Sequence, residues 1–208
     1  MSDFKIGVLG GTFDPIHMGH LIIAEEVRQK LGLDEVLFVP TGQPWLKGER
    51  SVSSAEHRME MVIQATASNP HFNVSSIELE RPGPTYSIDT ITELKAGLSA
   101  GDRLYFIEGF DALAELSLWK DPGRLVEMCQ VVGVRRPGCA ELDLPALESA
   151  VPGISENSVI VDVPQIDISA SEIRRRVSQG LSIRYLVPEA VERYIKDNGL
   201  YLQGGFGV

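Results

Sequence analysis

Apolar and polar residues change rhythm repeatedly along this chain. Lys5 to Leu9 is a short apolar run that stops at Gly10 and Gly11. After a loop, Leu21, Ala24, Val27 and Leu31 recur at helical spacing, and Gly32 closes the segment. Val36 to Val39 forms a second apolar run ending at Pro40. Ser53 and Glu56 have capping-box spacing and predict a helix with Met59, Val62 and Ile63 on one face. Phe72 to Ile77 predicts a strand, Ser87 to Leu98 a helix, and Leu104 to Ile107 a strand.

The second half continues with Val131 to Val134, a stretch containing Pro and Gly as far as Ile154, and Val159 to Val163. Two helices follow. Ser169 and Glu172 announce the first; the second has Pro188 near its start, Val187, Val191, Tyr194 and Ile195 on one face, and Gly199 after its end. Strands separated by helices predict an α/β fold: a doubly wound, mostly parallel sheet with helices on both faces. Ligands then belong at the carboxyl ends of the strands, near a topological switch point.

Composition narrows this picture. At 208 residues, 43% hydrophobic and 23% charged, the chain suits one domain, expected over residues 1–203, with 204–208 as a mobile tail. No apolar run reaches the roughly 18 to 20 residues that span a bilayer, and no basic segment leads into an apolar signal stretch. A soluble cytoplasmic protein without a membrane partner is expected. A net charge of -10 argues against holding nucleic acid, which rests on many cationic contacts to phosphate. A small anion needs only a local cluster, and Arg174, Arg175 and Arg176 with Lys47 could supply one. For Arg175 and Arg176 a solvated helix face is the preferred reading. Cys129 and Cys139 show neither disulfide nor zinc spacing.

The chemistry concentrates in GGTFDPIHMGH, residues 10 to 20. Its glycines allow close backbone approach to phosphate, and it feeds a helix whose free N–H groups favour an anion. His17 and His20 are spaced to place both imidazoles on the anion's side. The string is neither a dinucleotide-binding GxGxxG nor a P-loop, and no third metal ligand stands at a recognisable spacing.

This segment resembles the HxGH motif of the nucleotidyltransferase superfamily, whose Rossmann-like fold is shared with class I aminoacyl-tRNA synthetases. ISASEIR, residues 168 to 174, resembles the second superfamily signature, with Ala170 where relatives more often have Ser. The resemblance implies that His17 and His20 contact the phosphates of ATP, His20 bearing on the α-phosphate. Arg174 would hold the β- and γ-phosphates, and Mg²⁺ would arrive on the nucleotide rather than in a protein metal site. Gly10, Gly11, Thr12, Phe13, Gly109, Asp111 and Ser169 would complete the ATP site. Attack by one phosphate on another needs positioning and charge stabilisation rather than a general base or covalent intermediate.

Further segments resemble the bacterial nicotinate-mononucleotide adenylyltransferases along most of the chain. FVPTGQPWLK (38–47) resembles the family's strand-and-loop ending in a lysine, here Lys47, which the resemblance implies faces a phosphate, although Trp45 and Leu46 stand where relatives usually have Pro and His. HRMEM (57–61) reads as a core-facing Met pair beside a surface Arg58. IELERPGPTYSIDTI (77–91) implies that the backbone N–H groups of Thr85 and Tyr86 receive the nicotinate carboxylate, with Asp89 on the helix that follows. By itself the Pro82–Gly83–Pro84 stretch reads as a rigid turn into a helix. FIEGFDALAELSLW (106–119) supplies Gly109, Asp111 for ribose hydroxyls and Trp119 for the pyridine face, with Glu108 and Phe110 where relatives commonly have Ile and Ala.

The expected partners are therefore ATP and nicotinate mononucleotide, and the sequence leaves room for a homo-oligomer. Other acceptors used by the superfamily, phosphopantetheine or nicotinamide mononucleotide, are the alternatives within this chemistry. Phosphopantetheine enzymes are typically shorter and lack the GPTYSIDT segment. A nucleotide-binding regulatory module without turnover is the alternative outside it, opposed by the retention of His17, His20 and Arg174.

Overall fold

A computed structural model describes residues 3–44, 52–135 and 142–202. Lys47 and its neighbours Trp45 and Leu46, Cys139, and the tail 204–208 lie outside the described residues.

The chain alternates between strand and helix. The first half runs β1 (Lys5–Gly11), α1 (Met18–Leu31), β2 (Glu35–Pro40), β3 (Gln43–Pro44), α2 (Ala55–Thr66), β4 (Phe72–Val74), β5 (Pro84–Thr85) and α3 (Ser87–Ala96). Then follow β6 (Arg103–Gly109), α4 (Phe110–Ala114), a 3-10 turn (Leu116–Leu118), α5 (Pro122–Met128) and β7 (Gln130–Arg135). The last described part holds α6 (Leu144–Ala150), α7 (Ile154–Asn157), β8 (Ser158–Asp162), α8 (Ala170–Ser178) and α9 (Glu189–Asp197).

Six strands form one sheet in the order β4-β2-β1-β6-β7-β8, and every pairing is parallel. The chain fills the sheet outward from β1 in one direction, then returns to place β6 on its other side. The switch point therefore falls between the carboxyl ends of β1 and β6, where Leu9 pairs with Ile107. Beside the sheet, β3 and β5 form a short parallel pair that matches Pro44 to Thr85.

Alternating side chains on the strands feed two cores, as a sheet covered on both faces requires. Leu9, Phe38, Ile107 and Val132 pack with Ala24 and Val27 of α1, Met61 of α2, Ile173 of α8 and Ile195 of α9. Val8, Phe106 and Val131 point the other way, against Ile88 and Ile91 of α3 and Leu125 and Val126 of α5. The expected fold class is observed. No helix among the described residues is long and apolar enough to cross a membrane.

Several local expectations are corrected. Ser54, not Ser53, caps α2, its hydroxyl accepting from the His57 N–H. Ser53 is occupied elsewhere: its carbonyl accepts from Arg58 Nε at 3.2 Å and its N–H donates to Asp14. On that helix Met61 and Val62 are buried, whereas Ile63, one 100° step further, is 41% exposed. The strand expected to reach Ile77 stops at Val74, because Ser75 still bonds to Phe38 but Ser76 accepts from Leu79 and Glu80 in a turn. The Pro- and Gly-containing stretch before Ile154 contains α6, with Asp143 as its N-cap accepting from Ala146.

Candidate functional site

The loop between β1 and α1 turns sharply, and its residues dictate how. Phe13 takes a left-handed backbone, φ 49°, folding its ring back over Gly11. A Cβ on Gly11 would lie 2.8 Å from that ring, so a side chain is excluded there. Above Gly10 the space is open, the nearest atom to a built Cβ being Glu108 Oε1 at 4.0 Å.

His17 is the N-cap of α1 and His20 its third residue. The His17 backbone N–H donates to His20 Nδ1 at 3.2 Å. Accepting there uses the Nδ1 lone pair, so the proton of the neutral ring sits on Nε2. The two imidazoles stack, centroids 3.7 Å apart and planes 23° from parallel, while Phe13 meets His20 edge-on at 5.0 Å. His20 is thus clamped on two sides. Gly19 completes the clamp, since a Cβ there would stand 3.1 Å from His17 Nδ1.

Arg174 arrives from α8, which Ser169 caps by accepting from the Glu172 N–H. Its Nη1 donates to the Asp14 carbonyl at 2.6 Å and lies 3.9 Å from the Asp14 carboxylate, and its Nη2 reaches the Ser171 hydroxyl at 3.3 Å. A cation from α8 is therefore tied to the same loop that carries the two histidines. Arg175 and Arg176 do not join it. They lie along the exposed helix face, Arg175 bonded to Glu172 and Gln179 and Arg176 to the Ser182 carbonyl.

Asp14 is the hub of this loop. Its carboxylate, almost wholly buried, accepts from the Tyr201 hydroxyl at 2.7 Å and from the Ser53 N–H at 3.4 Å. Burial and the neighbouring Asp14 carboxylate both push the Tyr201 hydroxyl above the usual tyrosine range, so it stays a donor. Arg58, expected at the surface, is only 4% exposed and donates to the Thr12 carbonyl at 2.8 Å. It is drawn inward because the loop offers buried acceptors that a short side chain could not reach; burial lowers its pKa, opposed by Asp14. The sequence reading passed over Asp14 and Tyr201. Asp14 lies inside the conspicuous motif, and its signal was a carboxylate in a loop that the sequence reads as suited to an anion.

Of the other predicted residues, Trp119 and Tyr86 pack on the opposite face of the sheet. Trp119 is half-buried, meeting Phe106 edge-on at 6.0 Å, and it packs on the same core as Tyr86. Lys120 lies 4.4 Å above the Tyr86 ring and bonds to Asp89 at 2.9 Å. Thr85 is buried in β5, its Cγ2 where a Cβ on Gly42 would come within 2.9 Å. Gly109 ends β6 with open space around its Cα. Asp111 is exposed and lines a cleft of about 280 Å³ with Phe110, Ser117 and residues of α6. Phe110 is buried, so the larger side chain is absorbed by the core. The carboxyl ends of β1 and β6 thus run between a histidine–arginine side and an aromatic side.

Among the described residues no group of three or more His, Cys, Asp or Glu could hold a metal ion. Cys129 is buried and its thiol is pushed up to about 12 by that burial, which leaves it inert.

Comparison with known proteins identifies the family. The cytidylyltransferase-like family model matches residues 8–176. A probable nicotinate-nucleotide adenylyltransferase of Dehalococcoides mccartyi is 46% identical over 201 residues, covering 97% of this chain and 98% of the relative. One from a Roseiflexus species is 48% identical over 202 residues, covering 97% and 100%. In fold, the chain is similar to the Plasmodium falciparum nicotinic acid mononucleotide adenylyltransferase complexed with NaAD, with a TM-score of 0.74 over 95% of this chain and 97% of that one, at 20% identity. With identity of this order along nearly its whole length, the chain belongs to the nicotinate-nucleotide adenylyltransferase family.

Proposed function

We propose that this protein transfers the adenylyl group of ATP to nicotinate mononucleotide, giving nicotinate adenine dinucleotide and pyrophosphate, a step of NAD biosynthesis. The observation that carries this reading is the meeting of His17, His20 and Arg174 at one loop of a chain so closely related to enzymes of that name.

The acceptor's phosphate oxygen attacks the α-phosphorus of ATP. A new P–O bond forms in line as the bond to the β-phosphate oxygen breaks, and the electron pair leaves with pyrophosphate. An ionised phosphate is already a nucleophile, so no side chain needs to remove a proton. His20 donates through Nε2–H to an α-phosphate oxygen, held in aim by its bond to the His17 N–H and by the rings on either side. Arg174, anchored on Asp14, neutralises charge on the β- and γ-phosphates. Gly10, Gly11, Thr12 and Phe13 let the backbone approach the nucleotide, with Ser169 at the start of α8; Gly109 and Asp111 serve its ribose. Mg²⁺ bound to the phosphates of ATP would supply further charge neutralisation.

On the aromatic side, Trp119 covers the pyridine ring and the backbone at Thr85 and Tyr86 receives its carboxylate, with Lys47 reaching the acceptor phosphate. The test is release of pyrophosphate on mixing the protein with ATP, Mg²⁺ and nicotinate mononucleotide. Stoichiometric pyrophosphate and dinucleotide are expected; no release from a folded sample would overturn the reading.

A further inference from the structure

Glu108 is the departure from the family pattern that the proposed reaction leaves unused. It stands at the carboxyl end of β6, opposite Gly133 of β7 in the strand pairing, and on the same sheet face as Phe106 two residues earlier. Its Oε1 is the atom nearest to the open space above Gly10, so its carboxyl borders the crevice at the switch point. Phe106 touches Trp119, which puts Glu108 on the aromatic side. Among the described residues no hydrogen bond or ion pair to its carboxyl occurs, although it is half-buried.

A second carboxylate faces it. Glu78, buried to 8% exposure, accepts from the Thr90 hydroxyl of α3 at 2.8 Å. The other neighbours offer little relief: β1 presents Val8 and Gly10, and β7 presents Gly133. Arg81 is turned to Thr90 and Glu93, and Lys120 is paired with Asp89. Lost hydration, reinforced by the Glu78 carboxylate, pushes the Glu108 carboxyl up to about 8. The group is neutral at pH 7 and ionises as the pH rises through that value.

We propose that Glu108 is a specificity-determining residue, whose proton lets the acceptor side of the crevice take a mononucleotide bearing a carboxylate in preference to one bearing an amide. The inference rests on the adenylyl-transfer reading and on the placing of the acceptor beside Trp119. Nicotinate mononucleotide carries one more negative charge than nicotinamide mononucleotide, and the two are otherwise alike, including the phosphate that titrates. An ionised Glu108 therefore repels the acid more than the amide, while changes at ATP, the histidines or the shared phosphate cancel between them.

The experiment is the ratio of kcat/KM for the two mononucleotides, acid over amide, from pH 6 to pH 9.5. In the native protein the ratio should hold steady to about pH 7 and then fall at least about fivefold, the scale of one uncompensated charge nearby in a partly solvated site. Glu108→Gln, which fixes the neutral form, should hold the ratio level throughout. Glu78→Gln should move the fall to lower pH, because one source of repulsion is gone. A level ratio in the native protein, or an equal fall in Glu108→Gln, would overturn the proposal while adenylyl transfer itself stood. No transfer to either mononucleotide at pH 7 would instead remove the functional reading, and this one with it.

Discussion

The backbone N–H of His17 donates to Nδ1 of His20, and that one bond fixes which nitrogen of His20 can donate to a ligand. The second histidine of the motif is aimed by the backbone of the first. His20→Ala should leave the fold intact and lower turnover by about a hundredfold or more, the scale for losing one charge-stabilising donor. Turnover near normal in a folded variant would take His20 out of the reaction.

Gly19 should matter for a reason other than backbone freedom. An added Cβ would crowd His17 Nδ1 at 3.1 Å, pressing on the stacked pair of rings. Gly19→Ala is expected to cut kcat by roughly tenfold or more while costing about 1 to 3 kcal/mol of stability. Kinetics and thermal unfolding measured together check this, and full activity would show that the stack is dispensable.

Tyr201→Phe removes the hydroxyl that satisfies the buried Asp14 carboxylate. A cost of about 1 to 3 kcal/mol is expected for the unsatisfied acceptor. The freed carboxylate then competes for Arg174, now 3.9 Å away, so KM for ATP should rise more than KM for the mononucleotide. An unchanged melting temperature together with an unchanged KM for ATP would contradict this.

Trp119→Ala should raise KM for the mononucleotide well above any change for ATP, since stacking on one base is worth about 1 to 3 kcal/mol. Because the ring also packs against Phe106, a modest fall in melting temperature should accompany it. Equal losses for both substrates would make Trp119 a packing residue alone.

A preference of tenfold or more for nicotinate over nicotinamide mononucleotide is expected at pH 7. Converging backbone donors at Thr85 and Tyr86 suit two carboxylate oxygens, whereas an amide must turn its own N–H toward one of them. Thr85→Ala should keep the preference and Thr85→Pro should abolish it, because only the latter deletes an N–H. Steady-state kinetics with both substrates at that pH decide it; equal efficiencies would defeat the carboxylate-receptor assignment.

The sheet was legible because its strands carry apolar runs buried on both faces, and α1, α8 and α9 because their caps and spacing agree. Shorter pieces escaped. In α6 a capping aspartate precedes only seven helical residues around the buried Leu147, too little periodicity to register. Ser53 and Ser54 both precede the α2 helix, and only the tertiary demand of Asp14 for the Ser53 N–H distinguishes them. Arg58 was misplaced for the same kind of reason. Its inward turn depends on the Thr12 carbonyl, 46 residues away, to which local spacing is blind. The histidine motif could be read as an anion loop, but its anchoring by Arg174 and Tyr201 is a contact between the two ends of the chain.

That long reach sets an order of events during synthesis. Asp14 leaves the ribosome well before Arg174 and Tyr201, which follow 160 and 187 residues later; of its partners only the Ser53 N–H comes sooner. A nascent chain can lay down every strand of the sheet before either partner exists. The loop after β1 would then be held by Ser53 and Arg58 but lack Arg174 and Tyr201. A chain ending just short of Tyr201 would keep the eight described strands and the motif, yet leave the Asp14 carboxylate without its hydroxyl partner. The loop after β1 is thus completed only once Arg174 and Tyr201 have been made and reach back to Asp14.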